Sequence, residues 1–149
     1  MSSHKPPHGQ PCPVARSVDL IGDRWSLLIV RDAFDGLSRF RDFQRSLGAA
    51  RNILSDRLRK LVDAGILAMR PASDGSAYQE YVLTEKGESL FPLVVALRQW
   101  GEQHLYQAQE PHSVLVEKST GKPVSLMHPR AHDGTPLVPA AAEVRKISG

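Results

Sequence analysis

Apolar residues first recur with helical spacing at Val14, Val18 and Ile21, at i, i+4 and i+7. Pro13 suits the first helical position and Gly22 a helix end, so a short helix is predicted over residues 13–21. Asp23 is a good N-cap for a second helix over 24–34. That stretch, with Trp25 and the run Leu27 to Val30, is apolar nearly all round, which places it in the middle of a core. Asp35-Gly36 stops it. Phe40, Phe43 and Leu47 give a third helix over 40–47, with Ser38-Arg39-Phe40 either a brief strand or the start of that helix. Gly48 is its stop. Only Gly48, Ala49 and Ala50 then separate it from a fourth helix, predicted over 51–64 and closed by Gly65. Two short helices joined by a glycine-containing turn of about three to four residues form the helix-turn-helix pattern.

The fourth helix is the centre of the reading. Leu54, Leu58 and Leu61 form one stripe, and at about 100° per residue Asn52, Asp56 and Arg59 point away from it, flanked by Ser55 and Lys60. A recognition helix and an ordinary amphipathic surface helix both fit this stretch alone. Its neighbours favour the first. After it, residues 66–70 and 78–83 read as two strands around the turn cluster Pro71 to Ser76, a β-hairpin in the place of a wing.

Thr84 caps the next helix. Leu90, Val94, Leu97, Gly101 and Leu105 make a long stripe, so one continuous helix is predicted over about 85–107. It is too long and apolar to need only a wing as partner. A homodimer interface is the economical explanation, with packing on the first two helices as the alternative. Beyond Glu110-Pro111, Val114–Val116 and Pro123–Met127 flank a Lys118–Lys122 turn and predict a hairpin. Asp133-Gly134 marks another turn, and residues 139–147 fit a strand or one to two helical turns equally. The expected architecture is mainly α (α+β): a winged helix-turn-helix with a long C-terminal dimerisation helix and a small β-rich C-terminal extension. Its divisions are a flexible leader at 1–11, a domain at 12–107 and an accessory extension at 112–149.

Charge changes this picture. The chain of 149 residues has a formal net charge of only +3, yet residues 39–60 alone hold seven basic residues against two acidic. Such concentration is the footprint of a polyanion binder, against the plainer reading of a solvated basic face. No run nears the roughly 18 apolar residues of a membrane span, and residues 1–10 lack a signal-peptide core, which points to the cytoplasm. The single cysteine, Cys12, precludes an intramolecular disulfide and suits a reducing compartment. It precedes Pro13 at a helix N-terminus, where backbone N–H groups favour a thiolate; a redox sensor and a capping residue are both open readings. His4, His8 and Cys12 are spaced by four, but Pro6, Pro7 and Pro11 forbid the helix that would gather them around a metal. Trp25, Phe91 and Trp100 are core aromatics or the lining of an effector pocket. No phosphate loop, nucleophile elbow or zinc-hydrolase motif is present, so no enzyme, metal or cofactor is expected.

Several motifs in one order carry a resemblance. They are Cys12-Pro13, Leu20-Ile21-Gly22-Asp23-Arg24-Trp25, Arg39-Phe40 with Phe43, and Leu54-Ser55 with Arg57-Leu58 and Leu61. Gly65-Ile66-Leu67, Tyr81 with Leu83-Thr84 and Gly87, and Trp100-Gly101 complete the set. Across Cys12 to about Leu105 the chain resembles the HxlR-type (DUF24) winged-helix transcription regulators, related to the MarR group. The resemblance implies a dimer that binds operator DNA without a cofactor, and in some members an N-terminal cysteine that senses oxidants or electrophiles. Many members begin the recognition helix with Ser-Pro where this chain has Ala50-Arg51, and the tail beyond Pro111 is longer than in minimal members.

The expected contacts follow from groove chemistry. Asn52 would pair with an adenine edge, Arg59 or Arg51 with guanine or phosphate, and Ser55 with either. Asp56 would accept from a cytosine amino group or pair with Lys60 at i,i+4. Arg57, nearer the core stripe, would pack its stem and send its head to a phosphate or an acid. Arg39 and Arg41 would meet backbone phosphates, and Arg70, Ser73, Ser76 and Gln79 would reach from the wing to phosphate or the minor groove. The partners expected are double-stranded operator DNA, a second copy joined through the N-terminal and long C-terminal helices, and a small-molecule or oxidant effector. A winged-helix protein–protein adaptor without DNA binding is the rival of a different class.

Overall fold

The structure, a computed structural model, describes residues 11–147. Residues 1–10 of the leader, with His4 and His8, and the last two residues therefore lie outside the described residues. The chain divides between Phe91 and Pro92 into two compact units.

The first unit carries α1 (Pro13–Ile21), α2 (Arg24–Phe34), α3 (Phe40–Leu47), α4 (Arg51–Asp63), β1 (Leu67–Pro71), β2 (Gln79–Leu83) and α5 (Glu85–Glu88). Each boundary has a local cause. Asp23 caps α2 by accepting from the Ser26 amide at 3.0 Å. Gly48 ends α3 in the left-handed region (φ 66°), which a side chain rarely adopts, so the chain turns at once into α4. Ala50 gives α4 no side-chain cap. Ser38 is neither strand nor helix: its carbonyl accepts from the Tyr81 amide at 2.7 Å, and α3 starts only at Phe40.

The core is built around the predicted stripe of α4; of the α1 stripe only Ile21 is buried, Val14 and Val18 being exposed. Leu54, Leu58 and Leu61 of α4 are almost fully buried, with Ile29 and Val30 of α2, Phe43 of α3, and Ile66 and Leu67 at the wing. Side chains of this size contribute about 1.5–3 kcal/mol each when fully buried. α2 packs on α3, α4 and β2, the central position its all-round apolarity predicts. The two strands pair antiparallel, with Leu67 opposite Leu83 and Arg70 opposite Glu80. The architecture is thus mostly helical with one small two-stranded sheet.

A clamp fixes the far end of α4. The Thr84 hydroxyl accepts from the Gly87 amide at 3.0 Å and donates to the Ile66 carbonyl at 3.1 Å. Lys86 Nζ donates to the Ala64 carbonyl at 2.8 Å. The approach is so close that a Cβ on Gly87 would stand 2.2 Å from the Ile66 oxygen, which only glycine permits.

Two expectations about the C-terminal half need correction. The single helix over 85–107 is two helices, α5 and then α6 (Phe91–His104), separated at Ser89 and Leu90. Thr84 and Gly87 commit the first turn to the clamp, so the chain restarts its helix afterwards. The extension is also not β-rich. Two isolated antiparallel bridges, Val116 to Pro123 and Arg130 to Pro136, surround the predicted turns, and Pro139–Ala141 is a short 3-10 helix, η1. The turns are where the sequence puts them, and each is flanked by a single bridge rather than by strands. In the second unit α6 holds the tail with polar groups. Arg98 donates to the Ser113 carbonyl at 3.0 Å, and Gln99 donates to the Ser125 carbonyl and accepts from the Met127 amide at 3.0 and 2.9 Å. Among the described residues no helix is long and apolar enough to cross a membrane.

Candidate nucleic-acid interface

With its leucines buried, α4 turns Arg51, Asn52, Ser55, Arg59 and Lys60 outward, all exposed, and Asp56 is half-exposed. Between this face and the wing lies an open groove of about 630 Å³, floored by Met69 and Tyr81 and walled by Asn52, Ser55, Asp56 and Arg59. A second cleft of about 330 Å³ continues on the other side of Met69, lined by Arg39, Arg41, Arg51, Phe40 and Tyr78. Eight of the predicted contact residues, Gln79 included, thus border two adjoining depressions. Asn52 and Ser55 have no hydrogen-bond partner among the described residues, so their polar groups are free to meet a ligand.

The ionic arrangement is more ordered than the sequence suggests. Asp56 accepts from three cations: Arg57 Nη1 and Arg59 Nη2, each at 2.6 Å, and Lys60 Nζ at 3.3 Å. Partial burial pushes its carboxyl up, but Lys60 and Arg57 outweigh this and hold it below the ordinary aspartate value. The i,i+4 pairing with Lys60 that the spacing allows is therefore present, alongside the two arginines. Arg57 finds its acid in Asp23, at 3.1 Å from Nε. Because Asp23 also caps α2, one carboxylate joins the start of the core helix to the middle of α4. Burial raises the Asp23 carboxyl, and the Ser26 and Arg57 hydrogen bonds bring it below its usual value.

The wing has its own pairings. Arg39 does not stand free for phosphate: its guanidinium pairs with Asp74 at the wing tip and lies 5.4 Å from the Tyr78 ring centre. Asp74 also accepts from the Ser76 amide at 2.9 Å. That amide, the Ser76 hydroxyl and Arg39 lower its carboxyl to about 2. Arg70 and Ser73 are turned toward a buried acid, Glu80, at 3.3 and 3.4 Å. Arg51 stacks its guanidinium 4.8 Å from the Phe40 ring. Arg41 and Gln79 are exposed beside the second cleft.

Sequence reasoning missed Asp23 as the acid for Arg57, and missed Asp74, Glu80, Met69, Tyr78 and Tyr81. One signal was available: with Pro71 opposite Gln79, hairpin register alone sets Arg70 across from Glu80. The Asp23–Arg57 and Arg39–Asp74 pairs span 34 and 35 residues and leave no local trace.

The effector candidates are distributed as follows. Cys12 is exposed and takes the N-cap position of α1, its sulfur accepting from the Ala15 amide at 3.4 Å. Trp25 is half-buried beneath Arg24, and Phe91 packs on Phe34 at 5.4 Å. Trp100, in the second unit, is 58% exposed beside His104. No group of three metal-ligating side chains occurs among the described residues.

Residues 20–109 match the HxlR-like helix-turn-helix family. The chain belongs to that family. It is 42% identical over 109 residues to the uncharacterized HTH-type transcriptional regulator Rv3095 of Mycobacterium tuberculosis, covering 73% of this chain and 69% of that one. To the uncharacterized HTH-type regulator YybR of Bacillus subtilis it is 32% identical over 99 residues, 66% of this chain and 79% of the other. Among solved structures, PA1607, a candidate transcription factor, matches with a TM-score of 0.85 and 54% identity over 91% of this chain and 95% of its own. The reduced form of the redox regulator HypR matches with a TM-score of 0.58 and 32% identity over 63% and 94%. This HxlR-like chain is therefore a helix-turn-helix transcriptional regulator by family, with a fold like that of winged-helix transcription factors. Its family is one of regulators, not of enzymes.

Proposed function

We propose that the protein is a homodimeric, sequence-specific DNA-binding repressor. α4 enters the major groove of a pseudo-palindromic operator, the wing lies against the minor groove, and α1 and α6 supply the contact between copies. The observation that carries this reading is the exposed face of α4. Unpaired Asn52 and Ser55 stand beside Arg51, Arg59 and Lys60, above a groove open to solvent. Asn52 reads a base edge; Arg41 and Arg51 meet phosphate; Arg39 does so once it leaves Asp74. The exposed apolar residues Val14 and Val18 of α1 and Leu93, Leu97 and Trp100 of α6 support the dimer.

Selection of bound duplexes from a random pool tests binding, half-site symmetry and spacing together. On the selected site, Asn52→Ala costs about 1–3 kcal/mol and relaxes preference at one base step. Arg41→Ala weakens binding to every sequence and lowers the salt slope by about one. Equal losses on selected and random DNA for Asn52→Ala would refute the base-reading role. Cys12 is the chain's single thiol, so an oxidant response passes through it. Cys12→Ser abolishes such a response and leaves a small-molecule response intact.

A further inference from the structure

The second unit has almost no core of its own. Of its described apolar side chains only Val95 is buried, while Leu115, Val124 and Leu137 are half-buried. Twelve large apolar side chains between Leu93 and Ile147 stand exposed, among them Trp100 at 58%, Leu126 at 53% and Val138 at 59%. Small units that bury so little apolar surface commonly gain order from disulfides, metals or association. The single cysteine, Cys12, lies outside this unit, and no metal-ligating group occurs among the described residues. Association remains.

The geometry of α6 says which surface is left open. Arg98, Gln99 and Glu102 share one helical face, and that face grips the tail: Arg98 holds Ser113, Gln99 holds Ser125 and Met127, and Glu102 lies 3.7 Å from His112. Leu93, Leu97 and Trp100, at i, i+4 and i+7, form an exposed stripe on the same helix. The tail is thereby fastened by polar clips, with Val116, Leu126, Met127 and Val138 exposed along it.

We infer that residues 112–147 are a dimerisation arm: together with the open α6 stripe, they are covered by the same surface of a second copy. This rests on the homodimeric reading above and extends it from the helices to the tail. The size of the surface fits that occupant. Burying a Leu or Val side chain removes about 60–120 Å² of apolar surface from water. Twelve half-exposed side chains therefore offer about 400–700 Å² per copy. At the roughly 65% apolar content of homodimer interfaces, this corresponds to about 600–1,100 Å² per copy. A standard interface takes about 800 Å² per partner. An isologous contact places one patch against itself, so a single apolar surface serves both copies.

The test is sedimentation equilibrium on the full chain, with hydrogen exchange of the Val124 and Leu137 amides, which bond to the Leu115 and Pro129 carbonyls. The variants are Leu126→Asp with Val138→Asp on the arm, and Leu97→Asp on α6. All three positions are exposed in the chain, and unchanged far-UV circular dichroism checks the fold of each variant. The wild type is a dimer; the arm variant raises the dimer dissociation constant about 100-fold or more. The two amides exchange faster on dilution and in the Leu97→Asp protein. If the arm variant dimerises as tightly as wild type while Leu97→Asp is monomeric, the arm is refuted and the helical dimer stands. If the wild type is monomeric at tens of micromolar, the dimeric reading and the arm fall together. Slow exchange of both amides in a monomer likewise overturns the arm.

Discussion

From Ile21 to Ala72 eleven apolar side chains are buried; from Pro92 to Ile147 one is. Both stretches are regularly turned and hydrogen-bonded, so the difference is not one of local order. The first unit closes on itself. The apolar faces of α3, α4 and β2 pack against α2, and a short clamp at Thr84, Lys86 and Gly87 fixes the end of α4. The second unit is held by polar clips from Arg98, Gln99 and Glu102, while its apolar residues face outward. A closed core can set the orientation of a recognition helix in a lone chain. A clipped, outward-facing surface gains its stability from whatever covers it.

The sharpest contrast lies in stability. Leu58→Ala, in a fully buried site, costs about 2–5 kcal/mol at any protein concentration. Leu97→Ala, at an exposed site, changes the stability of the monomer by less than about 0.5 kcal/mol. Its effect at high protein concentration is larger, because it then includes the interface. Denaturant titrations at two concentrations a hundredfold apart check both; a concentration-independent Leu97→Ala would count against the contrast.

A smaller effect tests the tie between α2 and α4. Arg57→Ala removes the guanidinium from Asp23 and Asp56 and costs about 1 kcal/mol, less than a buried pair because the groups are partly exposed. Asp23 is lowered on folding from 3.8. Its contribution is therefore complete above that value and is lost as pH falls through the lower, folded one. Wild type and Arg57→Ala should converge in acid stability curves below about pH 4, and a constant gap down to pH 2 would contradict the assignment.

The smallest effect on stability, and a clear one on binding, comes from the wing tip. Asp74→Asn releases Arg39. Affinity for random DNA rises at low salt, and the salt slope steepens by about one. With the Asp74 carboxyl at about 2 against 3.8 unfolded, the pair is intact above pH 4 and opens only as pH falls toward 2. Carboxyl carbon shifts followed through acid titration would show it; a midpoint near 4 would mean that neither the Ser76 hydrogen bonds nor the Arg39 pair forms in solution.

Much of the first unit was legible in the sequence. The bounds of α1, α2 and α3 match the predicted 13–21, 24–34 and 40–47, because each has both a stripe and a stop: Pro13 and Gly22, Asp23 and Gly36, Gly48. The exposed face of α4 was legible for the same reason. Its chemistry was legible only in part. Asn52, Ser55 and Arg51 stand outward as expected, whereas Arg39, Arg70 and Ser73 are held by Asp74 and Glu80. The helix over 85–107 and the β-rich tail differ from expectation for separate reasons: the Thr84–Gly87 clamp interrupts the helix after its first turn, and the predicted tail turns carry single bridges rather than strands.

The sequence by itself determined the helix-turn-helix, its hairpin and its family, because capping residues, turn residues and periodic leucines act within a few residues of one another. Only the tertiary structure decided which charges remain free at α4, which are tied to Asp23, Asp74 and Glu80, and which apolar residues lie outside the core. Those outcomes depend on partners 20 or more residues away or on a register, and a periodic pattern reports only that a face is apolar, not what lies against it.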